Sequence, residues 1–439
     1  MRGTHSFDWR WAPLLMRPLG QRQRAMNVAE TGNIFVQKQT SIEGPLSGIR
    51  VLDMTALGMG PLAGQILGDH GADVIKVEPL AGDSFRHMSP QSSPGMSHVF
   101  LQFNRNKRSI ALDLKSEDGK QALLSLLKSC DIFLSNTRPS AMKSLGLDYE
   151  AIRLVNPKII FCGAYGYSER GPYAGRPAAD DTIQAMSGLA DLQRRVTGTA
   201  QFVATIVADK AVGLALVNAV LAALIYRMKT GKGQAIEVPM FETMVAFVLP
   251  EHMGGKAFEP PRGDTGYGRI LNPERRPYPT KDGALCVLPY TTAQWLRFFK
   301  LIGRDDLAQD PSLQDPLART ARIPELYAII DKVMPSRTTQ EWVHALIEND
   351  IMFGSVNSID DLIADRHLRA LNMFPMVEHP TEGAIRLIGF PISFSESPCG
   401  LYRLPPKLGE HSRQVLAEIG YSEADLDRLE SEKTIVCAA

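Results

Sequence analysis

Residues 45–79, PLSGIRVLDMTALGMGPLAGQILGDHGADVIKVEP, carry the clearest indication of the fold. An apolar, partly β-branched run, GIRVLDMTA, is followed by a glycine-containing loop, a helix-length segment and a second apolar run, ADVIKVE. Short apolar runs separated by segments of helical length are typical of strands that alternate with helices. The stretch therefore predicts the first strand–helix–strand unit of a parallel sheet.

Three further runs continue the alternation: RSIALDL, DIFLSN and KIIFCGAYG. The segment QALLSLLKSC between two of them has helical length, and Ser116 precedes it as a candidate N-cap. This order predicts an α/β fold with a doubly wound parallel sheet and right-handed crossovers. Ligands of such sheets bind at the carboxyl ends of the strands.

Composition limits the classes of function. The chain has 439 residues, 44% of them hydrophobic, which is enough for two cores and predicts two domains. Forty-eight basic and forty-eight acidic side chains cancel. Without a net field, nucleic acid and anionic membranes are unfavourable partners, and an anionic ligand must be held by local groups.

Cysteine usage and the longest apolar run point to a compartment and argue against a membrane span. The five cysteines show no CxxC spacing, which predicts free thiols in a reducing compartment, no metal site and a cytoplasmic location. The apolar run at residues 212–226 is shorter than the roughly 20 residues that a spanning helix needs. We interpret it as a buried helix.

The first 26 residues contain five arginines and one acid, Asp8. A mitochondrial transit peptide has this bias, and a start upstream of Met26 would also explain it. We expect an unstructured extension over residues 1–44, with a mitochondrial location as the alternative to a cytoplasmic one.

The texture changes near residue 245, where a long segment rich in Gly, Pro and Arg covers residues 252–283. Loops of this length are usually functional or mobile. We predict a large Rossmann-like domain of residues 45–240 and 351–439, and a small α+β domain of residues 241–350. Paired arginines in the long segment could clamp a distal carboxylate, although a solvated surface is the preferred interpretation; they are Arg262, Arg269, Arg275 and Arg276.

The first loop has two interpretations. Gly58 and Gly60 follow the first strand, and Glu78 lies about 20 residues beyond, as in a dinucleotide fingerprint. Pro61, however, removes one of the early helix amides that would hold a pyrophosphate. A close strand-to-helix turn is at least as good an explanation, so NAD is a weak alternative.

A second stretch, residues 165–190, reads YGYSERGPYAGRPAADDTIQAMSGLA. It places Asp180 and Asp181 after a Gly/Pro-rich loop and at the start of a helix of small residues. Carboxylates in such a position suit a nucleophile that a ligand must approach closely. The alternative is that one of the pair caps the helix, since Asp is a preferred N-cap residue.

Five blocks together resemble the family III CoA-transferases: residues 45–79, NRNKRSIALDLK (104–115), SNTRPSAMKSLGLDY (135–149), TGKGQAIEVPMFETM (230–244) and LPPKLGEHSRQVLAEIG (404–420). The resemblance covers about residues 45–425, in order. It implies the CoA-transferase family III fold and an interlinked homodimer. It also implies an enzyme that transfers CoA from an acyl-CoA to a carboxylic acid, such as the dicarboxylate succinate.

The resemblance implies a single catalytic aspartate that carries the acyl group. The motif Q-A-x-S-G at residues 184–188 sets the register, so Asp180 is the matching carboxylate and Asp181 its neighbour. A carboxylate is already ionised at neutral pH and needs no activating base. The related α-methylacyl-CoA racemases use a histidine upstream of the aspartate, and no histidine lies between His98 and His252. A two-base mechanism therefore lacks its partner unless Glu150 or another acid replaces the histidine. Racemase activity and a non-catalytic acyl-CoA-binding role remain the alternatives.

The resemblance further implies that coenzyme A is a substrate and that no cofactor is tightly bound. The positions that match the family's CoA contacts are Leu57, Gly58, Met59, Leu112, Lys115, Asn136, Thr137 and Ala141, with Lys143 adjacent to a position where some members have an arginine. Because the phosphate contacts depart from the family pattern, four other bases are alternatives: Arg86, Arg105, Lys107 and Arg108. Of these four bases, Arg108 is included in the predicted CoA-binding site.

Overall fold

The structure, a computed structural model, describes residues 44–438. The predictions for residues 1–43, including the targeting segment, lie outside the described residues. Within residues 44–438 there are twelve strands: β1 Arg50–Met54, β2 Asp73–Glu78, β3 Lys107–Leu112, β4 Ile132–Ser135, β5 Ile160–Tyr165, β6 Gln234–Pro239, β7 Tyr278–Pro279, β8 Ala284–Val287, β9 Phe353–Ser355, β10 Met376–His379, β11 Gly383–Arg386 and β12 Ile435–Val436.

The helices alternate with these strands in the first half of the chain and dominate the second half. The first nine are α1 Met59–Asp69, α2 His98–Phe103, α3 Glu117–Leu127, α4 Pro139–Leu145, α5 Tyr149–Val155, α6 Asp180–Met186, α7 Leu189–Thr197, α8 Val207–Thr230 and α9 Met240–His252. The next six are α10 Thr292–Leu301, α11 Asp305–Ala308, α12 Pro311–Gln314, α13 Pro316–Ala321, α14 Ile323–Val333 and α15 Thr339–Glu348. The last four are α16 Ile359–Ala364, α17 Arg366–Ala370, α18 Ser412–Glu418 and α19 Glu423–Ser431, and short 3₁₀ helices cover Ser84–His87, Gly254–Ala257 and Met334–Ser336.

The main sheet has seven strands in the order β12-β3-β2-β1-β4-β5-β6. All neighbours are parallel except β12, which pairs antiparallel with β3. This confirms the predicted doubly wound parallel sheet, and the five predicted strands are β1 to β5. The strand order reverses between β1 and β4, which is where such sheets bind their ligands.

Local sequence explains the element that follows β3. The hydroxyl of Ser116 accepts a hydrogen bond from the Gly119 amide at 3.0 Å, so it is the N-cap of α3. Glu117 and Asp118 in the first turn favour the positive end of the helix dipole. The predicted cap is confirmed.

The sheet separates two apolar cores. On one face α1 and α8 pack on the strands through side chains such as Ala63, Leu67, Val212, Leu216 and Val220. On the other face α3, α18 and α19 contribute Leu123, Leu126, Val415, Leu416, Leu426 and Leu429. Buried apolar side chains on both faces explain why the central strands β4 and β5 are almost uniformly apolar in sequence.

A third core lies between residues 278 and 353 and is built from β7 to β9 and α10 to α15. Its largest members, Trp295, Tyr327 and Trp342, are at most 2% exposed. The Trp342 indole donates to the Met334 carbonyl at 2.7 Å, so its single polar group is satisfied. The predicted boundaries of the two domains stay a prediction.

Helix α8 is longer than its apolar run predicts. It is long and apolar enough to cross a membrane by length and composition alone. One face packs in the core through Val212, Leu216 and Val220, whereas Leu214 and Ile225 on the other face are more than half exposed. The interpretation of residues 212–226 as a buried helix is therefore confirmed for one face and wrong for the other.

The long segment that begins at residue 252 folds back on itself. The Gly255 amide donates to the Asp264 carbonyl at 3.0 Å, and the Gly266 amide donates to the His252 carbonyl at 2.8 Å. Arg195 of α7 donates to the Thr265 carbonyl at 3.1 Å. These contacts anchor the segment to α9 and α7.

Candidate active site

The loop after β1 and the first residue after β4 meet where the strand order reverses. The Asn136 side-chain amide donates to the Ala56 carbonyl at 2.8 Å, and the Ala56 amide donates to the Asn136 side-chain oxygen at 3.1 Å. The next residue, Leu57, has a φ of 69°, which is uncommon for a residue with a side chain. Strained backbone of this kind is characteristic of functional loops.

Two buried, oppositely charged side chains, Lys76 and Asp83, hold the backbone of the loop after β1 in place. The Lys76 ammonium donates to the Thr55 carbonyl at 2.9 Å and to the Asp83 carboxylate at 2.8 Å. Asp83 in turn accepts from the Leu57 amide at 3.1 Å. Both charged side chains are almost fully buried, so the loop backbone is fixed by a paired and hydrogen-bonded couple.

Glu78 is not available to a nucleotide ribose. Its two oxygens accept hydrogen bonds from the Arg86 guanidinium, both at 2.7 Å, and one also accepts from the Ser109 hydroxyl. The glycines of α1 allow close packing instead, since a Cβ at Gly60 would lie 2.2 Å from the Thr55 Cβ. The turn interpretation of this loop therefore explains the structure better than a dinucleotide fingerprint.

A cavity of about 590 Å³ lies at the carboxyl ends of β1 to β4. Four of the predicted CoA-binding residues line it: Leu112, Lys115, Asn136 and Thr137. Leu112 is buried beneath the cavity, whereas Lys115 is exposed. An apolar wall with an exposed cation at the rim suits a ligand with an aromatic base and phosphates.

The remaining predicted residues lie around this cavity without lining it. Leu57 and Gly58 belong to the β1 loop, and Met59 is buried at the start of α1. Ala141 and Lys143 are exposed on α4, whose residue Leu145 lines the cavity.

Arg108 does not reach the cavity. It is the second residue of β3 and lies beside the amino end of β2, where its guanidinium pairs with Asp73 and Glu418, both at 2.6 Å. The placement of Arg108 in the CoA site is corrected accordingly, because only residues that follow the end of a parallel strand lie at the ligand-binding edge.

The three other alternative bases are also committed to buried carboxylates. Arg86 pairs with Glu78, Arg105 with Asp69, and Lys107 with Asp53. None of the three lines the cavity of residues 54–145 described above. Lys115 is the remaining predicted base among the residues that line it.

Asp180 is the first residue of α6 and is 8% exposed. Its carboxylate accepts from the Gln184 side-chain amide at 2.6 Å and from the backbone amide of Asp209 at 3.0 Å. Asp209 lies in the first turn of α8, so Asp180 satisfies one of that helix's free amides. The nucleophile candidate is thus held by neutral donors.

Neither aspartate of the pair is the N-cap of its own helix. The N-cap residue of α6 is Ala179, whose amide donates to the Thr182 hydroxyl at 2.9 Å. Asp181 is exposed. The interpretation that one of the pair caps α6 is wrong. Asp180 instead accepts a hydrogen bond from a backbone amide in the first turn of α8.

The loop before Asp180 returns towards the cavity. A smaller cavity of about 220 Å³ is lined by Asn136 and by residues of this loop, among them Tyr165, Tyr167 and Ala178. A Cβ at Gly166 would lie 2.3 Å from the Ala178 Cβ, so glycine is required for the loop to pack against itself. Asn136 therefore lines both cavities.

Asp209 lies beside both Asp180 and the loop after β1. A Cβ built on Gly58 would lie 2.4 Å from the Asp209 carboxylate, so this carboxylate faces the β1 loop directly. Burial, and secondly the charge of Asp180, raise the pKa of Asp209 to about 6. The site therefore contains two neighbouring carboxylates of different character.

The sequence prediction missed Asp209, and it missed the roles of Gln184, Lys76 and Asp83. Gln184 was visible as the first residue of the Q-A-x-S-G motif, and an acid in the first turn of α8 was visible in VADK. The pairing of Lys76 with Asp83 could not be predicted from the sequence, because it depends on the turn after β2.

Comparison with known proteins gives the family. The family model described as CoA-transferase family III matches residues 46–412. The chain is 34% identical to a succinate–glutarate CoA-transferase of Agrobacterium fabrum, over 85% of this chain and 96% of that protein. It is 30% identical to a formyl-CoA:oxalate CoA-transferase of Escherichia coli O157:H7, over 89% of this chain and 99% of that protein.

Solved structures agree with these relatives. A CAIB/BAIF family protein from Brucella suis superposes with a TM-score of 0.74 at 30% identity, over 86% of this chain and all of that one. Because the family match extends over most of the chain and the relatives are matched almost from end to end, the chain belongs to CoA-transferase family III and is a CoA-transferase.

Proposed function

We propose that this CoA-transferase works through a covalent intermediate on Asp180. The observation that carries the proposal is the position of its carboxylate, which is buried and which, among residues 44–438, accepts hydrogen bonds from the Gln184 side-chain amide and the Asp209 backbone amide and has no cationic partner. A carboxylate without a cationic partner keeps its electron pair available for attack. Exclusion of water protects the reactive intermediate from hydrolysis.

The reaction proceeds in four balanced steps. An Asp180 oxygen attacks the thioester carbonyl, the carbon–sulfur bond breaks, and CoA leaves as a thiolate. The thiolate attacks the aspartyl carbonyl and releases the donor acid. The acceptor carboxylate then attacks this aspartyl thioester and again expels the thiolate, which finally attacks the acceptor's acyl carbon and regenerates Asp180. No proton transfer is required, so Asp180 needs no activating base.

Acyl-CoA binds in the 590 Å³ cavity under this proposal. Leu112 contacts the base, Lys115 meets the phosphates, and Asn136 and Thr137 line the route of the pantetheine towards Gly58. Arg108 is left out. Coenzyme A is a substrate that exchanges, not a resident cofactor.

A dicarboxylic acid such as succinate is the proposed acceptor or donor acid. The succinate–glutarate CoA-transferase of Agrobacterium fabrum supports this choice. Three of the four arginines of the long segment have other partners: Arg262 stacks on Phe258, Arg269 lies over Tyr290, and Arg276 pairs with Asp331 at 2.8 Å. The proposal of a dicarboxylic acid therefore rests on the similarity to this relative and not on these side chains.

The proposed assembly is an interlinked homodimer in the cytoplasm, with mitochondria as the alternative if residues 1–26 target the protein. The apolar side chains Leu214, Ile225 and Phe247 on α8 and α9 are more than half exposed, which supports a covered face. Light scattering of the purified full chain measures the assembly, and a fluorescent fusion of the full chain beside one that starts at Met26 measures the location.

The decisive experiment is intact-mass spectrometry after incubation with succinyl-CoA and trapping with hydroxylamine or borohydride. The wild-type protein is expected to carry an adduct that maps to Asp180. Asp180→Asn is the variant of choice because its amide oxygen can still accept from the Asp209 backbone, and it is expected to carry none. Asp181→Asn, which removes the exposed neighbouring charge, is expected to behave as wild type.

If wild type forms no adduct with a panel of acyl-CoAs, the covalent mechanism is wrong. Exchange of the α-proton of a 2-methylacyl-CoA then measures racemase activity. Within residues 44–438 the hydrogen bonds of the Asp180 carboxylate involve Gln184 and Asp209 and no histidine, which disfavours that two-base reaction.

A further inference from the structure

The smaller cavity, of about 220 Å³, is lined by two arginines, Arg138 and Arg176. Within residues 44–438 neither guanidinium pairs with a carboxylate, and both residues are exposed, so a ligand can reach them. Glu169, the one acid among the lining residues, accepts instead from the Gly175 amide at 3.1 Å. The cavity therefore carries an excess of positive charge, which favours an anionic ligand.

Arg176 is held in place by an aromatic ring and not by an acid. Its guanidinium lies 4.3 Å from the centroid of the Tyr173 ring. Tyr173 packs in turn against Tyr167 and Phe241, with ring centroids 5.5 and 6.2 Å away. A stacked guanidinium keeps its N–H groups free at the edge of the plane, in the fork geometry that matches a carboxylate.

The smaller cavity lies between the larger cavity and the loop that carries the nucleophile. Asn136 lines both cavities, and Ala178, two residues before Asp180, lines the smaller one. Lys115, the proposed phosphate contact, lines only the larger one. Because the pantetheine arm separates the phosphates of CoA from its thiol, phosphates at Lys115 leave the acyl end of the substrate on the side of the smaller cavity.

The size of the smaller cavity restricts the ligand. Its volume is below the roughly 300–1,000 Å³ of cavities that hold drug-sized ligands, so a short acid suits it better than a fatty-acyl chain. Apolar side chains such as Pro139, Tyr167 and Ala178 offer contacts for a few methylene groups. A carboxylate at the far end of such a chain would meet the arginines.

We propose that the smaller cavity binds the acid substrate, and that Arg138 and Arg176 bind the unreactive, distal carboxylate of a short dicarboxylic acid. The two arginines are then the residues that determine specificity for a dicarboxylic over a monocarboxylic acid. This inference rests on the proposed function, in which the other carboxylate of the same acid reacts at Asp180.

A phosphate of CoA is the other anion that two guanidiniums would bind. The positions of the basic residues favour the carboxylate, because Lys115 lines the larger cavity and neither arginine does. The experiment therefore has to separate recognition of the acid from binding of CoA.

The test compares glutarate and valerate as acceptors from succinyl-CoA, because these acids have the same chain length and differ in the distal carboxylate. The ratio of their kcat/KM values removes effects on the donor, which is common to both. Wild type is expected to prefer glutarate by about a hundredfold. Arg138→Gln and Arg176→Gln are each expected to lose about tenfold of this preference, since a lost hydrogen bond to a charged group costs about tenfold or more.

Arg170→Gln is the matched control. Arg170 belongs to the same loop before α6, but its side chain is 88% exposed, lies 3.7 Å from Glu237 and does not line the cavity. This variant is expected to keep the wild-type preference. The Kd of free coenzyme A, measured by titration calorimetry, is expected to stay unchanged in all three variants.

Three results would overturn the inference. The first is a wild type that uses valerate as well as glutarate. The second is a pair of variants, Arg138→Gln and Arg176→Gln, that keep the preference for glutarate; a weaker Kd for coenzyme A in them then assigns the arginines to its phosphates. The third is a wild type that transfers CoA to neither acid. If that protein still forms the Asp180 adduct with succinyl-CoA, only the acid site is wrong, whereas a missing adduct overturns the proposed function as well.

Discussion

The side-chain amide of Asn136 and the backbone of Ala56 exchange two hydrogen bonds, of 2.8 and 3.1 Å, across the point where the strand order reverses. This pair ties the end of β4 to the loop after β1, and both residues line the larger cavity. The shape of that cavity therefore depends on one carboxamide.

Asn136→Ala should weaken acyl-CoA binding more than it weakens the fold. Loss of the two hydrogen bonds is expected to cost about 1–3 kcal/mol in free energy of unfolding and to raise the KM for acyl-CoA about tenfold. Urea unfolding and steady-state kinetics measure the two effects. Asn349→Ala, which removes a 2.9 Å bond to the Ala345 carbonyl in the third core, is the control and should leave KM unchanged.

Gly58→Ala should abolish formation of the acyl-enzyme while the protein stays folded. The added Cβ would lie 2.4 Å from the Asp209 carboxylate, so either the loop or the start of α8 has to move. We expect loss of the Asp180 adduct by at least about tenfold, because small displacements of reacting groups are expensive. Gly354→Ala, whose Cβ would meet nothing within 4 Å, is the matched control. Equal adduct yields in the two variants would contradict the packing described for Gly58.

Lys107→Met should unfold the protein or nearly so. The ammonium is fully buried and bonds to the Asp53 carboxylate, the Pro61 carbonyl and the Asn104 side chain, each at 2.9 Å. Its removal leaves a buried carboxylate unpaired, at a cost of about 3–5 kcal/mol. Adding Asp53→Asn should restore part of the loss.

The exposed pair Arg153–Glu150 provides the comparison for that variant. It has a similar distance, 2.7 Å, but both side chains are at least half exposed. Arg153→Met should change the free energy of unfolding by less than about 1 kcal/mol. A small loss for Lys107→Met in denaturant titrations would show that Lys107 has a role other than the pairing seen here.

Asp209→Asn should raise stability at neutral and basic pH. Because the folded state raises the pKa of Asp209 to about 6, it holds this proton more tightly than the unfolded chain does. Between about pH 4 and 6 the folded state therefore binds more protons, and the contribution of Asp209 to stability falls as pH rises. We expect a gain of about 1–3 kcal/mol at about pH 8 and almost none at about pH 4, measured by thermal unfolding. An equal gain at both pH values would contradict the raised pKa.

The sheet could be predicted because its strands are encoded locally. Five apolar runs of strand length predicted β1 to β5, and Ser116, which precedes a segment of helical length, predicted the N-cap of α3. β12 could not be predicted in this way, since Ile435 and Val436 show no alternation and form a strand only by pairing with β3. Its existence depends on a contact between distant parts of the chain.

The candidate site was predictable only where a motif carries it. Asp180 follows from the resemblance and its register with Gln184, whereas Asp209 lies 29 residues further on and meets Asp180 only because α6 and α8 pack together. Arg108 was misplaced for the opposite reason. Departures from the family pattern suggested Arg108 as a substitute phosphate contact, but Arg108 lies near the amino end of β3, whereas Lys115 follows its carboxyl end.

The pairing of β12 with β3 also sets an order of assembly. A ribosome delivers the six parallel strands first, then all of the third core, and only afterwards the residues that cover the outer edge of β3. Until then a nascent chain exposes an unpaired strand edge beside the cavity, the kind of edge to which other chains add. Protection by chaperones during synthesis therefore matters most in the interval between the emergence of β3 and that of β12.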